Sequence, residues 1–115
     1  MQTASLLEDI VYGEDRPAIK VMLDTTATKE IRIVFRAGQE MKQHSAPFPI
    51  VVEVVDGEID FGVDGKRIAL NRGMLITLEG HVPHDLLAKK DSIVRLSLNK
   101  ADAVGRVEEV VRRRK

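Results

Sequence analysis

The sequence predicts an all-β fold, an antiparallel sandwich or small barrel. Short apolar stretches recur through the middle of the chain, several of them alternate with polar residues at the strand period of two, and Asp-Gly or Arg-Gly turn signals separate them. A length of 115 residues fits one domain with a core large enough to need no covalent staple.

The elements follow in order. Ala18–Leu23 reads as a strand and Asp24–Lys29 as a polar turn. Ile31, Ile33 and Phe35 then alternate with Arg32 and Arg36, the pattern of a half-buried strand, until Gly38 breaks the run. Ile50–Val55 is a dense β-branched segment ending at Asp56-Gly57, a hairpin turn signal. Ile59, Phe61 and Val63 alternate with Glu58, Asp60 and Gly62, and Asp64-Gly65 is a second such turn. Arg67–Leu70, the turn Asn71-Arg72-Gly73, Met74–Leu78, a loop over Glu79–Pro83, His84–Ala88 and Ser92–Leu98 complete the series.

The two ends differ. Leu6, Leu7, Ile10 and Val11 have helical spacing, but the segment is short enough to be strand or helix. Over 101–115, Ala103, Val104, Val107, Val110 and Val111 form one apolar stripe, which predicts a short C-terminal amphipathic α-helix. Its basic end, Arg112–Lys115, complements the helix macrodipole. The expected organisation is an N-terminal arm with strands over 1–29 packing on the barrel, the barrel over 30–99, and the helix over 100–115.

Composition narrows the function. Basic and acidic side chains number 18 each, so the formal net charge is zero, which argues against broad attraction to nucleic acid or anionic lipid. With one Tyr, three Phe and no Trp, stacking platforms for bases are scarce. The absence of cysteine excludes disulfides, thiolate catalysis and Cys-based metal centres. No apolar run approaches the roughly 18–20 residues of a membrane span. The opening Met1-Gln2-Thr3-Ala4-Ser5 lacks a secretory pattern, so a cytoplasmic location is expected. Ile50–Val55 is apolar on both faces apart from Glu53. Such a strand calls for an outer cover, and a second subunit forming a homodimer is expected to supply it, the alternative being the N-terminal segment.

The chemically informative residues lie between Gly38 and Ala88. Neutral imidazole is the commonest protein metal ligand, and His44, His81 and His84 sit in two turn-adjacent segments. Other catalytic patterns fail. Ser45 and His44 are sequence neighbours on a strand and face apart, Asp56 and Glu58 flank a turn, and no glycine cluster precedes a helix.

These residues resemble the cupin superfamily. Its first motif runs Gly, five residues, His, one residue, His, three or four residues, Glu, six residues, Gly; here Gly38, His44 and Gly57 match in register. Its second runs Gly, five residues, Pro, one residue, Gly, two residues, His, three residues, Asn; here Gly73 and His84 match. The resemblance spans roughly Ile31–Leu98 and implies a double-stranded β-helix, the cupin jelly-roll barrel. It also implies a metal held by two histidines and a glutamate of the first motif and a histidine of the second. This chain departs there: Ala46 stands at the second-histidine position and Ile50 at the glutamate position. In the second motif Glu79, His81 and Ala88 replace the proline, glycine and asparagine. Tight first-row metal sites use three or four protein ligands, so the alternatives are that His44 and His84, with His81 as a third if its loop turns inward, hold a divalent metal, weakly if only two bind, or act as acid/base groups, or that they face an apolar, metal-free pocket.

The expected pocket opens between the sheets, lined by Phe35, Ile50, Val52, Phe61, Met74 and Leu86, with His44 and His84 as its polar groups. Three functions compete: binding of a small molecule without catalysis; a metal-dependent oxygenase, isomerase or decarboxylase of the kind other cupins provide; and a dimeric structural or interaction module. The depleted ligand set favours the first over the second, and histidines surviving in register favour either over the third.

Overall fold

Period-two alternation puts successive side chains on opposite faces, so a strand with one apolar face needs a facing layer. In this chain nine strands supply it. They are β1 (Ala18–Asp24), β2 (Thr28–Phe35), β3 (Glu40–His44), β4 (Ile50–Asp56), β5 (Glu58–Val63), β6 (Lys66–Asn71), β7 (Leu75–Leu78), β8 (His84–Ala88) and β9 (Ser92–Asn99). The computed structural model describes residues 1–100, and the expected helix over 101–115 lies outside the described residues. Among the described residues every regular element is a strand, and no helix is long and apolar enough to cross a membrane.

The strands form a five-stranded sheet ordered β1-β2-β9-β4-β7 and a four-stranded sheet ordered β3-β8-β5-β6, with antiparallel pairing throughout. Their inner faces meet in a core that includes Ile33 and Phe35 of β2, Val52 and Val54 of β4, and Ile59 and Phe61 of β5. Each such side chain, fully buried, contributes about 1.5–3 kcal/mol of transfer free energy. The jelly-roll sandwich read from the alternation is the observed architecture, and β1 is part of its main sheet rather than a separate layer.

The turns divide into two kinds. Asp64 and Gly65, with φ of 53° and 71°, close a two-residue hairpin in which Val63 pairs with Lys66. Asp56-Gly57, expected to be a hairpin, instead carries the chain from one sheet to the other. β4 pairs with β7 and β9, whereas β5 pairs with β6 and β8. Gly57 has φ of 96°, and a Cβ there would lie 2.2 Å from Ser92 Oγ. Only glycine allows this corner to press against β9.

Two further differences from the sequence reading have physical causes. β3 carries one apolar residue, Met41, in five and shows no alternation, so it is defined by its ladder with β8 rather than by its own pattern. Arg32, expected on a solvent face, is 3% exposed. The N-terminal arm lies over it, and its guanidinium donates to the carbonyls of Glu8 (2.7 Å), Asp9 (3.1 Å) and Leu6 (3.5 Å). The arm is tied again where Gln39 donates to the Gly13 carbonyl and Arg36 lies over the Tyr12 ring.

Candidate functional site

The first strand of the smaller sheet and its neighbour bring two of the three histidines together. His44, the last residue of β3, is the cross-strand partner of His84, the first of β8. Directly opposed residues share a face, and the ring centroids lie 4.3 Å apart with a 59° tilt. His84 is buried, and Phe61 stacks on it at 5.7 Å with nearly parallel rings.

The hydrogen bonds fix both tautomers. His44 Nδ1 lies 2.8 Å from the Lys42 carbonyl, and His84 Nδ1 lies 2.9 Å from the Val82 carbonyl. A carbonyl only accepts, so each Nδ1 carries the proton and each neutral ring keeps its lone pair on Nε2. Among the described residues neither Nε2 takes part in a protein hydrogen bond. Arg32 Nε is the only fully buried side-chain nitrogen or oxygen there without a partner. His84 Nε2, which also lacks one, therefore keeps contact with solvent.

Burial holds the His84 imidazole below the ordinary histidine value, and a charge on His44 would push it the same way. The Val82 carbonyl and the Asp85 carboxylate oppose the shift. Asp85 is not a partner for the pair, because it points to the other side of β8 and is held by Arg67 at 2.7 Å. Arg67 also reaches Asp60 at 3.1 Å. Gly62 lets this ion-pair cluster lie flat on the sheet, since a Cβ there would meet Asp85 Oδ1 at 2.1 Å and the Arg67 guanidinium at 2.3 Å.

The space inside the barrel next to the pair is small, about 10 Å³, and is bordered by both histidines, Ile33, Met41, Val52, Leu86, Val94 and Leu96. That is barely the room of one water molecule. His84 also borders an open groove of about 320 Å³ between the β5–β6 turn and the start of β8, together with Gln43, Lys66 and Asp85.

Among the expected pocket residues, Val52 and Leu86 border the inner space with the two histidines. Phe35, Ile50 and Phe61 are buried in the core around it and do not border it. Met74 is corrected: it is 41% exposed, and its sulfur accepts from Asn71 N in the β6–β7 turn, one residue before the strand begins. Ile33, Met41, Val94 and Leu96 went unnamed. The alternation of Ile31, Ile33 and Phe35 would have flagged Ile33, whereas Met41 had no pattern around it.

The metal reading meets the same geometry. His81 is exposed, with φ of 66°, and its amide donates to the Ala46 carbonyl, so this residue serves to turn the loop. Ala46 and the buried Ile50 offer no donor atom, and Glu53 is held on the outer face by Arg95 at 3.0 Å. Among the described residues no group of three or more His, Cys, Asp or Glu is placed to hold a metal ion. The residues present do not fit a tightly held metal.

The same two-sheet arrangement is found in solved structures. An RmlC-like cupin protein from Desulfovibrio desulfuricans is similar over 86% of this chain and 96% of its own, at 26% identity and a TM-score of 0.80. The chain has the cupin fold. A conserved protein with a double-stranded β-helix domain from Klebsiella pneumoniae aligns over 86% of this chain and 89% of its own (19% identity, TM-score 0.75). KdgF from Halomonas sp. aligns over 77% and 84% (20% identity, TM-score 0.71). No protein-family model matches the sequence, and no curated protein matches it. In this cupin fold the paired imidazoles are the polar groups of an otherwise apolar inner space.

Proposed function

We propose that this cupin binds a small molecule, without catalysis, through the His44–His84 pair. The observation that carries the reading is the pair of Nε2 lone pairs left without protein donors by the two Nδ1–carbonyl bonds. Two neutral acceptors of this kind recognise a group that donates hydrogen bonds, such as a hydroxyl or an ammonium. The inner space admits one group the size of a water, so the donor that reaches the pair is a small one. A thermal-shift screen of small hydroxy- and amino-bearing compounds tests this. A stabilising compound whose effect is lost in both His44→Ala and His84→Ala is the expected result. Stabilisation retained in both variants overturns it.

A second reading is favoured by the same hydrogen bonds. Metal-ligating histidines commonly donate their other ring N–H to a carbonyl or carboxylate, so a divalent metal in weak exchange on His44 and His84 is its form. Titration of the protein with zinc, followed by ring resonances, separates the two. Stoichiometric tight binding establishes a metal site, and turnover that needs the metal and is abolished by His84→Ala establishes an enzyme instead.

The reading includes a homodimer. The arm contacts β1 and β2, which leaves Val51 and Val55 on the outer face of β4 without a cover from that source. Sedimentation showing only monomer at micromolar concentration removes the dimer.

A further inference from the structure

The outer face of the five-stranded sheet carries an unbalanced row of charge. Lys20 of β1 is the cross-strand partner of Arg32 of β2, and Arg32 is that of Arg95 of β9. Directly opposed residues share a face, and like charges so placed repel. Arg95 is neutralised, since Glu53 and Glu30 reach it at 3.0 and 3.3 Å. Among the described residues neither Lys20 nor Arg32 forms an ion pair. Arg32 is also short of acceptors. A guanidinium has five N–H donors; the arm's carbonyls accept three bonds, and the buried Nε has no partner among the described residues. A cation taken out of water in this way calls for an opposite charge close by.

Lys20 and Arg32 both line a groove of about 260 Å³ between the arm and the β1–β2 pair. The groove lies outside the barrel, away from the imidazole pair. Ala18, Lys20, Arg32 and Val34 share the sheet face opposite to that of the core residues Ile31 and Ile33. Asp9 is the third charged side chain of the lining, which therefore carries one net positive charge. Its other walls include Val11, Ala18 and Val34, so they are apolar.

We propose that this groove binds a small organic monoanion, a carboxylate on a short apolar body. The carboxylate bonds the Lys20 ammonium and lies beside Arg32, and the body rests on Val11, Ala18 and Val34. One net positive charge selects a monoanion, and apolar walls select an organic one over an inorganic ion. The Arg32 Nε stays covered, so the anion acts on that guanidinium by charge, which carries further in a partly dry groove than in water. The volume falls below the roughly 300–1,000 Å³ of sites for drug-sized ligands, so the body is short.

The test follows backbone amide resonances of the full chain at about 0.15 M ionic strength, titrated with hexanoate and with benzoate. Saturable shifts in Asp9–Val11 and Ala18–Lys20 are expected from at least one of them, and none from hexanamide or benzamide. Lys20→Met removes an exposed side chain and leaves the arm's bonds to Arg32 in place. It should weaken binding by about tenfold or more. No saturable shift in these segments with either carboxylate overturns the proposal. Equal binding of the amides overturns it too, as does unchanged affinity in Lys20→Met. Saturation of the same segments by chloride alone marks an adventitious ion site and overturns it, and so do carboxylate shifts confined to Gly62–Lys66 and His84.

Discussion

His44 and His84 are a mirrored pair. They oppose each other across the β3–β8 ladder with rings 4.3 Å apart, and each donates Nδ1–H to the carbonyl two residues before it, Lys42 or Val82. One local device thus fixes both tautomers and turns two imidazoles into two acceptors. Long-range proton–nitrogen correlation spectra at pH 8 should show protonated Nδ1 and unprotonated Nε2 for both residues. A protonated Nε2 on either ring contradicts the hydrogen-bond pattern and removes the basis for a donor ligand.

The pH dependence of stability follows from His84. Burial lowers its folded-state pKa below the unfolded value of 6.5, so between the two the unfolded chain binds more protons. Stability is therefore fully present above about pH 6.5 and falls as pH drops through that value toward the folded pKa. His84→Gln should flatten this part of the profile. The check is denaturant unfolding from pH 5 to 8 for both proteins; identical slopes over that window exclude His84 as the source.

The strands of this cupin fold were legible where side chains alternate against a single core. β8 was bounded correctly at His84–Ala88, and β1, β2, β4, β5 and β9 were placed with edges within a few residues. What could not be read depended on partners distant in sequence. β3 has no apolar pattern because its inner face is given to Met41 and His44, and only the ladder with β8 makes it a strand. Asp56-Gly57 has the residues of a hairpin, but which strands pair across a turn is decided by the sheet partners, not by the turn. The histidine pair was legible from motif register, while its 10 Å³ surroundings were not, since they depend on side-chain packing from both sheets.

Gly57 and Gly38 separate two costs that sequence alone runs together. Both have positive φ, at 96° and 90°. A Cβ at Gly38 meets nothing within 4 Å, whereas one at Gly57 meets Ser92 Oγ at 2.2 Å and the Asp91 carbonyl at 2.6 Å. Gly38→Ala should therefore cost only the left-handed backbone penalty, about 1–2 kcal/mol. Gly57→Ala adds displacement of buried Ser92, which accepts from the Glu58 amide, and should cost about 3 kcal/mol or more. Equal losses for the two variants in chemical denaturation would mean that the corner yields without strain.

Arg32 anchors the arm by an uncommon means, a buried guanidinium solvated by backbone carbonyls. The carbonyls of Leu6, Glu8 and Asp9 accept from it, and among the described residues no carboxylate pairs with it and its Nε has no partner. Hydrogen bonds to a charged group contribute about 1.5–3 kcal/mol each, but burying the cation offsets much of that. Arg32→Met keeps an unbranched chain against Val34 and removes the donors. The three carbonyls then regain hydrogen bonds only by lifting into water. The arm should detach locally between Leu6 and Asp9, while Gln39 still holds Gly13 and Gln2 still bonds Asp24. Global stability should fall by less than about 2 kcal/mol, because the inner core is untouched. Limited proteolysis should cut the variant within residues 5–11 and spare the wild type. An arm that stays protected in Arg32→Met would show that apolar contacts, not the guanidinium, hold it down.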